Sequence, residues 1–269
     1  MTAPGYTSDE MMTVTAARHL RDRAVCFVGI GLPSAACNLA RLTHAPNIVL
    51  IYESGTVGTR PSVLPLSIGD GELAETADCV VPLPEIFAHY LQGGRVDVGF
   101  LGAAQIDRYG NLNSTVIGSY ERPGVRLPGA GGAPEIATHA REVLVVMKQS
   151  PRSFVPRLDF RTSCGHLDGP GARRASGCPG MGPRAVITDF GVLRPNPATD
   201  ELELAALYPD VGVEAARAAT GWPLRVADDM EALAAPEPAV LACLRDLHAR
   251  TGAAHARAVR ITLPASIRS

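Results

Sequence analysis

The chain has 269 residues, 46% hydrophobic and 19% charged, which excludes a disordered chain and suffices for one α/β domain with a sizeable core. Its formal net charge of −2 gives no general attraction for nucleic acid or an anionic membrane. Of 25 basic residues only Lys148 is a lysine, so there is no phosphate-binding G-K-[ST] motif, and a Schiff-base amine would have to be Lys148.

The start, MTAPGYTSDE, has no basic n-region followed by an apolar h-region, so it does not read as a signal peptide. Ser8, followed by Asp9 and Glu10, predicts a helix start, with Met12, Ala16 and Leu20 repeating at helical spacing. Ala24–Val28 predicts a buried strand, Pro33–Leu42 a helix with proline in its first turn, and Ile48–Tyr52 a second strand. Strand, glycine turn, helix and strand in about 30 residues make a βαβ unit and imply a parallel sheet.

Further apolar runs at Val96–Ala104, Val143–Met147, Ala185–Thr188 and Leu202–Tyr208 predict strands. Helices are predicted at Pro84–Gln92, Ala133–Glu142, Val213–Thr220 and Glu237–Arg250. Continuous apolar strands alternating with helices predict one open, mostly parallel sheet with helices on both faces. No linker divides the chain, so residues 1–269 read as a single domain. A loose tail or subunit contact is expected from about residue 253, where Arg257, Arg260 and Arg268 occur without an acid.

The six cysteines contain no C-x-x-C pair, and the uncharged stretch Ala24–Ala40 is too short for a membrane span. A cytoplasmic location is expected. Cys164, His166 and Asp168 alternate but lack further ligands at zinc spacing, so no metal is expected. Arg173 and Arg174 stand in a glycine-rich loop as solvated residues or phosphate contacts. Trp222 reads as a packing residue, and Asp107–Asn111 as a turn.

Three segments combine into a constellation. Gly29-Ile30-Gly31-Leu32-Pro33 joins a strand to a helix, where backbone N–H groups can approach an anion, although a plain tight turn needs the same glycines. Glu53 follows an apolar strand, at the strand end that faces the ligand crevice of an open α/β sheet. It is either the ribose-binding acid of a dinucleotide fold, a nucleophile that forms a covalent acyl intermediate, or a solvated carboxylate. The dinucleotide fingerprint is incomplete, because Ser34 occupies its third glycine position. Gly129-Ala130-Gly131-Gly132 precedes a predicted helix and can form a nest of N–H groups for an anion or oxyanion.

GIGLPSAACNLARL, VLIYESGTVG, FLGAAQIDRYGNLNSTVIG and RLPGAGGAPEIA occur in this order, and together they resemble the β subunit of family I CoA-transferases from about Met11 to Leu247. SVLPLSIGDGELAETAD resembles the type acting on 3-oxoadipate more than the type acting on glutaconate. The resemblance implies that Glu53 is the nucleophile and that the amides of Gly131 and Gly132 form the oxyanion hole. It places Gly29, Gly31, Gln105, Gly129 and Ala130 at the substrate and CoA side. It further implies a separate α-type subunit, a heterotetramer, CoA thioester as substrate rather than resident cofactor, and a role in aromatic catabolism through the β-ketoadipate pathway. Another acid acceptor, or hydrolysis of the acyl-CoA, remains an alternative activity. The segment Cys164–Cys178 departs from the family's more glycine-rich loop.

Overall fold

The computed structural model describes residues 5–262. The chain runs through α1 (Ser8–Arg18), β1 (Val25–Phe27), α2 (Leu32–Leu42), β2 (Val49–Ile51), β3 (Thr56–Val57), α3 (Gly71–Glu75) and β4 (Cys79–Val80). α4 (Leu83–Glu85) leads into a π-helix, Ile86–Leu91, and then β5 (Val98–Leu101). Two short antiparallel ribbons follow, β6 (Gln105–Ile106) with β7 (Leu112–Asn113) and β8 (Val116–Gly118) with β9 (Pro123–Arg126). The rest comprises α5 (Ala133–His139), β10 (Glu142–Val146), α6 (Ala172–Ala175), β11 (Pro183–Ile187), β12 (Gly191–Pro195), β13 (Leu202–Leu207), α7 (Val213–Ala218), β14 (Arg225–Ala232) and α8 (Pro238–Thr262).

Ten strands form one sheet in the order β14-β13-β12-β11-β10-β5-β1-β2-β3-β4. The central strands β11, β10, β5, β1 and β2 are parallel, as their uninterrupted apolar runs require when both faces are covered. β12 and β3 run antiparallel to their neighbours on the two sides of this block. One face packs against α1, α2 and α8 through residues such as Met12, Leu39 and Leu247. The other packs against α5, α7 and the π-helix through Ile136, Ala216 and Leu91. Burying each of the larger of these side chains contributes roughly 1.5–3 kcal/mol.

Most predicted elements are present, with instructive differences. Thr7, not Ser8, caps α1: its hydroxyl accepts from Glu10 N and the Glu10 carboxylate accepts from Thr7 N, a capping box that places Ser8 inside the helix. The helix expected at Ala133–Glu142 ends at His139, because Ala140 turns to extended geometry (ψ 139°) and Glu142 already belongs to β10. The predicted helix Pro84–Gln92 is mainly π-helical, with Gln92 N bonded to Phe87 O and Arg95 N to Tyr90 O, each at 2.8 Å. β3, β4, β12 and β14 of the main sheet, and β6 to β9 of the two ribbons, are not among the predicted strands. The segment 253–262, expected as loose tail, continues α8, and the tail beyond it lies outside the described residues.

Candidate active site

The parallel strands β1 and β2 end side by side, with Phe27 opposite Ile51. Gly29 and Glu53 each follow two residues later, so the glycine turn and the acid share one sheet edge. A tight reversal holds Glu53: Tyr52 N donates to Thr56 O at 3.1 Å and Gly55 N to Tyr52 O at 3.0 Å. Gly55 is required there. Its φ is +108° and a Cβ would collide with the Val81 carbonyl, a conformation and approach that only glycine tolerates.

Tyr52 anchors the turn from below. It is fully buried, and its hydroxyl lies 2.7 Å from Ser34 Oγ at the start of α2. Burial pushes the phenol pKa up, so it stays protonated and either group can donate. Ser34, which interrupts the dinucleotide fingerprint, therefore ties α2 to the strand that carries Glu53. Glu53 itself is partly exposed.

The second half of the site arrives from the opposite face. The Gly129–Gly132 loop is fixed by Ser114, whose carbonyl accepts from Gly129 N at 3.0 Å and whose hydroxyl donates to Gly129 O at 2.8 Å. Among the described residues, neither Gly131 N nor Gly132 N donates to a protein group, and no side chain caps α5. Gly132 is buried, and the carboxyl carbon of Glu53 lies 3.5 Å from where its Cβ would stand. The Phe87 ring, from the π-helix, is 2.8 Å from the same point. The result is a carboxylate beside unengaged amides under an aromatic wall, an arrangement suited to nucleophilic attack and to stabilising an oxyanion.

The remaining predicted residues divide. Gly31 takes φ +84° at the start of α2 and, with Leu32, Ala35, Leu64 and Leu66, lines a mainly apolar cavity of about 630 Å³. Ala130 is exposed at the tip of the amide loop, where its carbonyl accepts from Ala133 N. Gln105 is buried in a structural network: Oε1 accepts from Asn113 Nδ2 at 2.7 Å and Asp159 N at 3.1 Å, while Nε2 donates to Asp159 Oδ2 at 2.9 Å. Its side chain is committed to holding the ribbon β6–β7 against residue 159.

The alternating Cys164, His166 and Asp168 diverge to different partners. Cys164 faces Cys178 at 4.0 Å, His166 lies beside Pro183 O, and Asp168 pairs with Arg161. Among the described residues no group of three or more His, Cys, Asp or Glu could hold a metal ion. Arg173 is neither solvated nor open to a phosphate. It is buried and donates to the carbonyls of Ala137, Gly165 and Gly180 at 2.6, 2.9 and 2.7 Å, while Arg174 is exposed. Lys148 pairs with Asp9 at the surface. Trp222 is a packing residue, stacked on Phe154.

Sequence reasoning does not single out Phe87, Tyr52, Ser114 or the structural role of Ser34. A fragment of signal exists for Ser34, the departure from the fingerprint. The others are ordinary residues of helix, strand and loop until the fold brings them together.

Residues 9–218 match the family described as Coenzyme A transferase. The chain is 60% identical over 250 residues to the B subunit of 3-oxoadipate CoA-transferase from Pseudomonas knackmussii, covering 93% of this chain and 96% of the relative. It is 38% identical over 246 residues to the B subunit of glutaconate CoA-transferase from Acidaminococcus fermentans, covering 90% and 92%. The crystal structure of glutaconate CoA-transferase from A. fermentans superposes with a TM-score of 0.85 at 38% identity, covering 90% of this chain and 94% of that one. Among the described residues no helix is long and apolar enough to cross a membrane.

Proposed function

Since this chain belongs to the coenzyme A transferase family, we propose that it is the β subunit of an enzyme moving CoA from succinyl-CoA to 3-oxoadipate. The observation that carries this reading is the 60% identity across 93% of the chain with a relative named as a 3-oxoadipate CoA-transferase subunit. The site geometry supports a covalent route with Glu53 as nucleophile.

In this scheme the Glu53 carboxylate attacks the thioester carbonyl, giving a mixed anhydride and CoA thiolate. The thiolate then attacks the Glu53 carbonyl, releasing succinate and leaving a glutamyl–CoA thioester. The carboxylate of 3-oxoadipate attacks that thioester, and the returning thiolate displaces Glu53 from the new anhydride. Each step passes through a tetrahedral oxyanion. Gly131 N and Gly132 N are the donors for it, and such fixed donors are worth about 3–4 kcal/mol each in comparable sites. In this reading the apolar cavity at Gly31 takes part of the CoA body, whose remote binding energy can be used at the reacting centre. The steps themselves call for no metal or redox carrier, and CoA enters as substrate.

Glu53 stands partly exposed rather than enclosed, whereas a site for CoA and a dicarboxylate should bury most of both ligands. A separate α-type subunit closes the cleft, and two such pairs form a heterotetramer. We place the enzyme in the cytoplasm, in aromatic catabolism through the β-ketoadipate pathway.

The test is to assay succinyl-CoA with 3-oxoadipate using the chain alone, then with its α-type partner. Activity is expected only on mixing, with parallel initial-rate lines across acceptor concentrations. Full activity of the lone chain would overturn the two-subunit reading, and intersecting lines the covalent one. Glu53→Ala in the assembled enzyme should abolish transfer. Retention of more than about a tenth of wild-type kcat would remove Glu53 from the nucleophile's role.

A further inference from the structure

We infer that Phe87 is a positioning residue that shields the covalent glutamyl thioester from water and thereby fixes the ratio of transfer to hydrolysis; this rests on the reading of Glu53 as the nucleophile. Cζ and Cε1 of Phe87 lie 2.8 and 2.9 Å from the point where a Cβ on Gly132 would stand, and the Glu53 carboxyl carbon lies 3.5 Å from that same point. The ring edge thus meets the amide loop at the same point that the Glu53 carboxyl approaches.

The ring is supported from behind. Phe27, at the end of β1, packs against it with centroids 5.9 Å apart and planes tilted by 54°, and Phe27 is itself buried. Phe87 is only partly buried, so one side of it remains available to line the crevice. It belongs to a π-helix, whose extra residue per turn displaces a side chain from the ordinary helical register, a deviation that recurs at functional sites. The Gln92 side chain at the end of this π-helix donates to the Glu135 carboxylate on α5 at 3.2 Å, so the element bearing the ring and the helix following the amide loop are tied together.

The chemistry gives this wall a task. A glutamyl thioester can be attacked by the acceptor carboxylate or by water. In the second case the water oxygen bonds to the Glu53 acyl carbon and the C–S bond breaks. CoA leaves as the thiol with one water proton, the other proton goes to solvent, and the Glu53 carboxylate is regenerated. An apolar ring at the junction of the amide loop and the acyl carbon offers water no hydrogen-bonding partner and excludes it from that side, as closed sites do to protect reactive intermediates. A dicarboxylate can still reach the carbon from the open side.

The experiment uses the assembled enzyme. CoA release from succinyl-CoA without acceptor measures hydrolysis, and 3-oxoadipyl-CoA formation with acceptor measures transfer. For Phe87→Ala the hydrolysis-to-transfer ratio should rise by about tenfold or more, and for Phe87→Leu, which keeps apolar bulk, it should rise less. A purely structural role would lower both rates together and leave the ratio unchanged. If Phe87→Ala does not assemble, Phe87→Leu carries the test, and an unchanged ratio there overturns the inference. A wild-type complex that transfers CoA while both variants keep its ratio overturns the role of Phe87 alone. A wild-type complex without transfer overturns the proposed function as well.

Discussion

The carboxyl carbon of Glu53 lies 3.5 Å from the point where Gly132 would carry a Cβ, and the Phe87 ring lies 2.8 Å from it. Gly132 therefore acts through its missing side chain: the space a methyl would fill is where acid, amide and ring meet. Gly132→Ala should keep the fold and lose activity, because the new Cβ must displace the Phe87 ring and would stand against the carboxylate. A fall in kcat of about 100-fold or more is expected, comparable to losing one oxyanion donor. Steady-state kinetics on the assembled enzyme checks it, and wild-type kcat in the variant would contradict the geometry.

The buried pair Tyr52–Ser34, at 2.7 Å, fixes the strand end from which Glu53 projects. Tyr52→Phe should cost about 1–2 kcal/mol, since it leaves the Ser34 hydroxyl without its partner. Adding Ser34→Ala should then cost less than the two single changes taken separately. Denaturant unfolding of the two single variants and the double variant measures the coupling, and strict additivity would dissolve the pair.

Arg173 holds the end of α5 and the loop around residues 165–180 with one guanidinium, through the carbonyls of Ala137, Gly165 and Gly180. Arg173→Ala strands these buried acceptors at once, so a loss of about 3 kcal/mol or more is expected. Arg173→Lys should recover only part of it, because an ammonium cannot reproduce the planar fork. Thermal unfolding of both variants decides. A near-neutral Arg173→Ala would mean that the loop is held by something else.

Glu10 links α1 to α8. The Arg245 guanidinium bonded to it, together with the Thr7 cap, lowers its pKa from the ordinary 4.5 to about 2. A depressed folded-state pKa means that the stabilisation is complete above about pH 4.5 and is lost as pH falls toward about 2. Glu10→Gln should therefore lower Tm near neutral pH and converge on wild type in strong acid. A constant difference in Tm across that range would show that the ionised pair contributes nothing.

The sequence by itself determined the chain's local grammar. Apolar runs such as Val49–Ile51 and Val143–Val146 are buried strands because both sheet faces are covered, and Glu53 falls at a strand end because the apolar run stops there. The glycines at 29–31 and 129–132 mark the two turns at the site, and the ordered motifs carry the resemblance to CoA-transferases. What only the tertiary structure decided are relations between segments remote in the chain. These are Gly132 meeting Glu53, Phe87 closing over both, Ser34 holding Tyr52, and Arg173 serving three carbonyls in place of a phosphate. Hydrophobic periodicity encodes which face of an element is buried, but not which residue of another element it will touch. That is set by how the elements pack, where one missing Cβ or one π-helical turn changes the contact.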